Sequence, residues 1–177
     1  MKTRREDLLE LARWMWEVVH NHPWAPNEFD ASFDRVYSHT DDLETLWQLG
    51  GATNDYLRCN PGGLSVPISL PKRLLASENR EARVIGLKLL NRCSDISTSE
   101  ITEEILRALQ RGDGYEDYGG FCELGNLIER YEAAAVRLSA DVVGRLVNAT
   151  NRFAVGKDEN DQRTAQRRVE CLRSICD

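Results

Sequence analysis

Apolar positions recur at helical spacing along most of this chain. From Leu8 they run Leu8, Ala12, Met15 and Val19, with Leu11, Trp16 and Val18 beside them. At about 100° per residue these positions cover more than half of a helix circumference. A helix this apolar is covered on two sides or meets a partner. Thr3 and Glu6 form a capping box at its start. Its end is expected near His22, because Pro23 disfavours helical geometry in the residue before it. A second pattern follows Asp41, an N-cap with Glu44 three residues on. Leu43, Leu46 and Trp47 form its stripe, and Tyr56 and Leu57 continue it. Gly50-Gly51 within that stretch predicts either a break or a close approach by another element. The run CNPGG, residues 59–63, is a loop, and Ser69 with Pro71 opens a short helix through Leu75.

From Ser77 onward the periodicity sharpens. Ala82, Ile85, Leu89 and Cys93 share one stripe. Ser97 with Glu100 caps the next helix, which carries Ile101, Ile105, Ala108 and Leu109 and ends at Arg111-Gly112. Phe121, Leu124, Ile128, Tyr131 and Ala135 line another. Ser139 caps a helix faced by Val143, Leu146, Val147 and Phe153, and the last helix carries Ala165, Val169, Leu172 and Cys176. No segment alternates polar and apolar residues long enough to make a strand, so the chain reads as all-α.

The helices are evenly spaced. SENREARVIGLKLL near residue 77 has a loose echo in DENDQRTAQRRVECL near residue 158, and EDYGGFCELGNLIERYE begins a similar helix near residue 116. The offset is about 40 residues, the period of HEAT and armadillo arrays. SENREARVIGLKLL also resembles the first helix of a HEAT repeat: a turn with acidic or Asn residues, then Arg83-Val84, then spaced apolar residues. The resemblance covers residues 77–177. It implies stacked helix pairs in a right-handed solenoid. It also implies a concave face used mostly for binding proteins, less often nucleic acid, and no catalytic residues. The expected architecture is a single helical domain over 1–177. Irregular helices would fill 1–76 and HEAT-like pairs 77–177, with an irregular multi-helix bundle as the alternative.

Composition narrows the function. The chain has 177 residues, 41% of them hydrophobic and 29% charged, with a formal net charge of -6. That is enough apolar content for a core and too little Gly and Pro for a disordered chain. The acidic balance disfavours broad phosphate-backbone binding, which needs clustered cations. It suits a protein that meets a basic partner. Five cysteines with no CxxC pair argue against a disulfide framework or a zinc ribbon. Cys93, Cys122 and Cys171 fall in apolar patterns, where cysteine acts as a small hydrophobe. The N-terminus carries charge and no apolar leader core, and no run approaches the ~20 apolar residues of a membrane helix. A cytoplasmic protein is expected.

Candidate chemistry is sparse. HNHPW, residues 20–24, holds two of the three histidines. Residues at i and i+2 do not face each other on a helix, and the HExxH spacing is absent. The stretch is read as a helix C-terminus, where a cationic imidazole meets the negative dipole end, and no metal is expected there. GDGYEDYGGFCE, residues 112–123, is not a calcium loop. Tyr118 stands where the turn needs glycine, and the twelfth position is Leu124, not Glu. It is a flexible turn or a binding tip. No GxSxG elbow is present. Arg163, Arg167, Arg168 and Arg173 alternate with Glu159, Asp161 and Glu170, as on an ordinary solvated face. No cofactor or catalytic residue is expected.

Residues 24–47, WAPNEFDASFDRVYSHTDDLETLW, are the most unusual. Arg35 is the only basic residue apart from His39 among six carboxylates, and five aromatics are interleaved. One reading is an amphipathic helix with aromatics inward and acids, Asp30 and Asp34 among them, toward water. The other is a recognition surface of Trp24, Glu28, Asp30, Asp34, Tyr37, Asp41 and Asp42, with Tyr115, Glu116, Asp117 and Tyr118 as a second contact. The leading function is a non-catalytic acidic protein-binding module, such as an inhibitor or immunity-type protein neutralising a basic protein. A helical-repeat enzyme of the DNA glycosylase type is one alternative. A structural subunit using the first helix with Trp14 and Trp16 is the other.

Overall fold

The computed structural model describes residues 4–19, 24–93 and 97–177. Among them are nine α-helices and no strand: α1 (Arg4–Val18), α2 (Pro26–Tyr37), α3 (Leu43–Cys59), α4 (Ser69–Leu75), α5 (Arg80–Arg92), α6 (Thr98–Arg111), α7 (Glu116–Ala133), α8 (Ala140–Ala154) and α9 (Glu159–Ser174). The all-α expectation holds. Thr3, His20 and His22 lie outside the described residues, and with them the expected first cap and helix end. No helix among the described residues is long and apolar enough to cross a membrane.

The chain forms two compact units, Met1–Asp95 and Ile96–Asp177. This places residues 77–95 with the N-terminal helices. The physical reason is that α5 pairs with α4 across a short connection, and both lean on α3. In the first unit α1 lies along α3 and α2 packs against both. Their apolar stripes meet in one core. Ala12 and Met15 come from α1, Phe29, Phe33 and Val36 from α2, and Leu46, Leu49 and Tyr56 from α3. Leu70 and Leu74 of α4 and Ile85 and Leu89 of α5 complete it. The cap of α3 is Asp42, one residue beyond the expected Asp41. Its Oδ2 accepts from the Thr45 amide at 3.0 Å and the Thr45 hydroxyl at 2.8 Å.

Gly50 and Gly51 do not break α3; they are the points of closest approach. A Cβ at Gly51 would stand 2.5 Å from the Trp16 ring, and one at Gly50 would stand 2.8 Å from the Leu74 side chain. Glycine lets the helices meet there.

The second unit is two helix hairpins, α6–α7 and α8–α9, with α6 packed on α8 and α7 on α9. Each helix of the second hairpin starts about 40 residues after its counterpart, a pattern compatible with a helical repeat. Ser97 caps α6 through the Glu100 amide at 3.3 Å, as expected, and Gly112 ends it at φ 67°. The stripes on α6, α8 and α9 face inward, with Val147 and Cys176 half-buried. Ala135, expected on the α7 stripe, is exposed past the helix end with φ 52°. Cys93 is buried, but Cys122 is exposed, so the small-hydrophobe reading fails for it.

Candidate protein-binding surface

Residues 24–47 build α2 and the start of α3, and their side chains divide into two groups. The aromatics turn inward: Phe29 and Phe33 are fully buried, and the Phe29 ring stacks on Tyr56 at 3.9 Å. Tyr37 is half-buried, stacked on Phe33 at 5.5 Å, with its hydroxyl bonded to Ser69 Oγ. Trp24 is half-buried. Its ring meets Trp14 edge-on at 5.2 Å on one side and Phe29 at 5.4 Å on the other. Trp14 is 45% exposed. A row of rings therefore runs Trp14, Trp24, Phe29, Tyr56 from solvent to core, with the two tryptophan contacts edge-on in the favourable range and Phe29 and Tyr56 in close parallel stacking.

Most of the acids have work inside the fold. Asp42 caps α3 and takes the Arg5 guanidinium at 2.5 Å. Burial opposes its charge, but the two Thr45 hydrogen bonds and Arg5 outweigh that and hold the carboxyl below its usual value. Asp41 pairs with Arg73 of α4 at 3.2 Å, and Glu44 pairs with Arg13 of α1. Glu28 reaches back to the Ala25 amide at 3.4 Å, over the first turn of α2. Asp30 does not lie on the polar face as expected. It is half-buried, and its Oδ1 is enclosed with no hydrogen-bond partner. Burial, and secondarily the charge of Asp30, push the Tyr56 phenol up from its ordinary value. Asp34 is exposed.

The second predicted contact also splits. Only Gly112–Tyr115 forms the turn, because α7 starts at Glu116. Asp113 Oδ1 accepts from the amides of Tyr115 at 3.1 Å and Glu116 at 2.6 Å and fixes that start. Tyr115 and Tyr118 are 49% and 46% exposed, and Tyr118 rests on Phe153 at 6.1 Å. Glu116 and Asp117 are buried, contrary to a role on the surface; Glu116 pairs with Arg111 at 2.6 Å. Of the residues of both contacts, Glu28, Asp34, Asp41, Tyr115 and Tyr118 are exposed, Trp24, Asp30, Tyr37 and Asp42 are half-buried, and Glu116 and Asp117 are buried.

Trp14 and Trp16, expected to share one apolar face of the first helix, do not. They point to opposite sides of α1: Trp16 sits on Gly51 and meets Trp47 edge-on at 5.9 Å, while Trp14 faces solvent. The 3.6-residue period separates them by about 200°, which was the available signal.

Neither unit has a basic excess. The first 95 residues hold 12 Lys and Arg against 14 Asp and Glu, the remainder 11 against 15. Of the arginines of α9, read in the sequence as an ordinary solvated face, Arg163 pairs with Glu159 at 3.1 Å. The Arg168 guanidinium lies over the Phe121 ring at 3.9 Å and donates to the Phe121 carbonyl. No cluster of three or more His, Cys, Asp or Glu that could hold a metal occurs among the described residues. No protein-family model matches the chain, and no curated protein or solved structure matches it.

Proposed function

We propose that this chain is a non-catalytic helical module that binds a basic protein through the aromatic and acidic surface of its first unit. The supporting observation is the Trp14–Trp24 pair. A large indole is held half in solvent by ring contacts that reach the core, as suits an anchor residue at a protein interface. The exposed rings of Tyr115 and Tyr118 offer a second contact on the other unit. In the concrete version, the module covers a basic site on its partner and neutralises it, as an inhibitor or immunity-type protein does in the cytoplasm.

The test is crosslinking of the full chain in its source cells and mass spectrometry of the adduct, followed by reconstitution with the purified partner. A stoichiometric complex with a basic protein, weakened by salt, is the expected result. Purification with an acidic partner, or turnover of a small substrate by the chain alone, overturns the reading.

A further inference from the structure

We infer that α2 is a lid: it lifts from α1 and α3 as one piece while the rest of the first unit stays folded. Only with α2 docked is the row Trp14, Trp24, Phe29, Tyr56 assembled, because Phe29 belongs to α2 and holds Trp24. The lifting stands on the geometry of the unit alone. Its bearing on binding rests on the protein-binding reading above, and makes the docking of α2 the step that controls the surface.

Docking encloses polar atoms that it does not satisfy. Asp30 Oδ1 on α2 and the Tyr56 hydroxyl on α3 are both shut off from solvent, and neither has a hydrogen-bond partner among the described residues. Tyr56 is 1% exposed. The two groups are near enough for the Asp30 charge to add to the effect of burial on the phenol. Buried polar groups are nearly always paired, and one left unpaired carries its full desolvation penalty. Lifting α2 opens both atoms to water, so the penalty belongs to the docked state and favours the lifted one. Burial of Phe29, Phe33 and Val36 opposes it and keeps α2 docked most of the time.

The other helices hold together without α2. It packs on α1 and α3, whereas α3 also packs on α4 and α5 and lies along α1. Between α1 and α3, the Trp16 indole donates to Asp55 and Arg13 pairs with Glu44. The tie from α2 to α4 is the hydroxyl bond of Tyr37 to Ser69. With 12 residues, α2 is too short to persist as a helix in water once its apolar face leaves the core. Its backbone hydrogen bonds are therefore lost when it lifts, and its amides become open to exchange. A cooperative piece of this kind, drawn from the less stable part of a fold, is what a gating element requires.

The experiment is hydrogen–deuterium exchange of the full chain, read by mass spectrometry on peptides from residues 26–37 and 43–59. Amides of α2 are expected to exchange at least about ten-fold faster than those in the middle of α3. Tyr56→Phe removes the enclosed hydroxyl and keeps a ring against Phe29; it should slow exchange in α2 about ten-fold. Asp30→Leu should slow it too. Asp34→Asn, on the exposed side of α2, should leave it unchanged. Circular dichroism checks that each variant is folded. Exchange in α2 no faster than in α3 overturns the inference, since the helix then opens only with the whole unit. So does unchanged or faster exchange of α2 in Tyr56→Phe: either opening does not reach the hydroxyl, or the hydroxyl is already satisfied in the docked state. No partner enters these measurements, so failure of the protein-binding reading leaves the lid standing, and failure of the lid leaves that reading standing.

Discussion

Gly51→Ala should destabilise the first unit by about 2–4 kcal/mol, although the same change stabilises most helices. The added methyl would stand 2.5 Å from Cε2 and Cζ2 of Trp16. Carbon atoms settle at about 3.5–4.0 Å, so the overlap is about 1 Å. Trp16 is held on two further sides. Its indole N–H donates to Asp55 Oδ2 at 2.9 Å, and its ring meets Trp47 edge-on. Displacing it forfeits roughly 1 kcal/mol of hydrogen bond and ~0.5–1.5 kcal/mol of ring contact. Strain in what remains adds ~1–3 kcal/mol. Against this stands about 1 kcal/mol gained by replacing glycine in a helix interior.

The four tryptophans, Trp14, Trp16, Trp24 and Trp47, all lie in the first unit. Tryptophan fluorescence during urea unfolding therefore reports that unit, while circular dichroism reports both. The fluorescence midpoint should fall in Gly51→Ala. A double-mutant cycle identifies the cause: with Trp16→Ala already in place, adding Gly51→Ala should be neutral or stabilise by up to about 1 kcal/mol. A neutral or stabilising Gly51→Ala in the wild-type background refutes the close crossing. So does a penalty that survives removal of Trp16.

Gly120→Ala should act on the second unit, because a Cβ there would meet Ala108 Cβ at 2.8 Å and the Leu109 amide at 3.1 Å; helical circular dichroism during urea unfolding should show a loss of about 1–3 kcal/mol. Asp42→Ala should cost about 1–2 kcal/mol at neutral pH by removing the α3 cap. Because the native Asp42 carboxyl is held below its usual value, its stabilisation is complete above that value and is lost as pH falls through the lower native one; urea titrations at acid and neutral pH should show the penalty shrinking below about pH 4. Asp30→Lys should lower the stability of the first unit, followed by tryptophan fluorescence in urea, by about 2–3 kcal/mol, since it forces a cation into an enclosed position, whereas Asp34→Lys on the exposed side should change it by less than about 0.5 kcal/mol.

The helices were legible because each one needs a long apolar stripe, and stripes at 3.6 residues survive in the letters. Leu8, Ala12, Met15 and Val19 are all buried as the spacing predicts, and so are Ile101, Ile105 and Leu109. What the spacing does not encode is which stripes meet. The placement of α5 with α3 and α4 depends on contacts between residues far apart in the chain, such as Gly50 against Leu74 and Ile85. The candidate surface was half legible for a related reason. An aspartate reads as polar whether it faces water, caps a helix or lies enclosed. Asp34, Asp42 and Asp30 are one of each, and the difference lies in Thr45, Arg5 and Tyr56, not in the aspartates.

That distinction bears on how a net charge of -6 should be used. Asp41, Asp42 and Glu44 are the densest acidic run in residues 24–47, yet each faces an arginine from another helix. Solvated pairs of this kind contribute only ~0–1 kcal/mol apiece to stability. Their larger effect is on the field: at distances beyond a Debye length of about 8 Å a paired carboxylate and guanidinium offer an approaching partner almost nothing. The carboxylates that can steer are those whose neighbours on the same face are not arginines. On α2 these are Glu28 and Asp34, both exposed. A partner drawn by charge would thus arrive at the unit that also carries the half-exposed Trp14 ring, and the on-rate and the residence time would be set by different residues of that one unit.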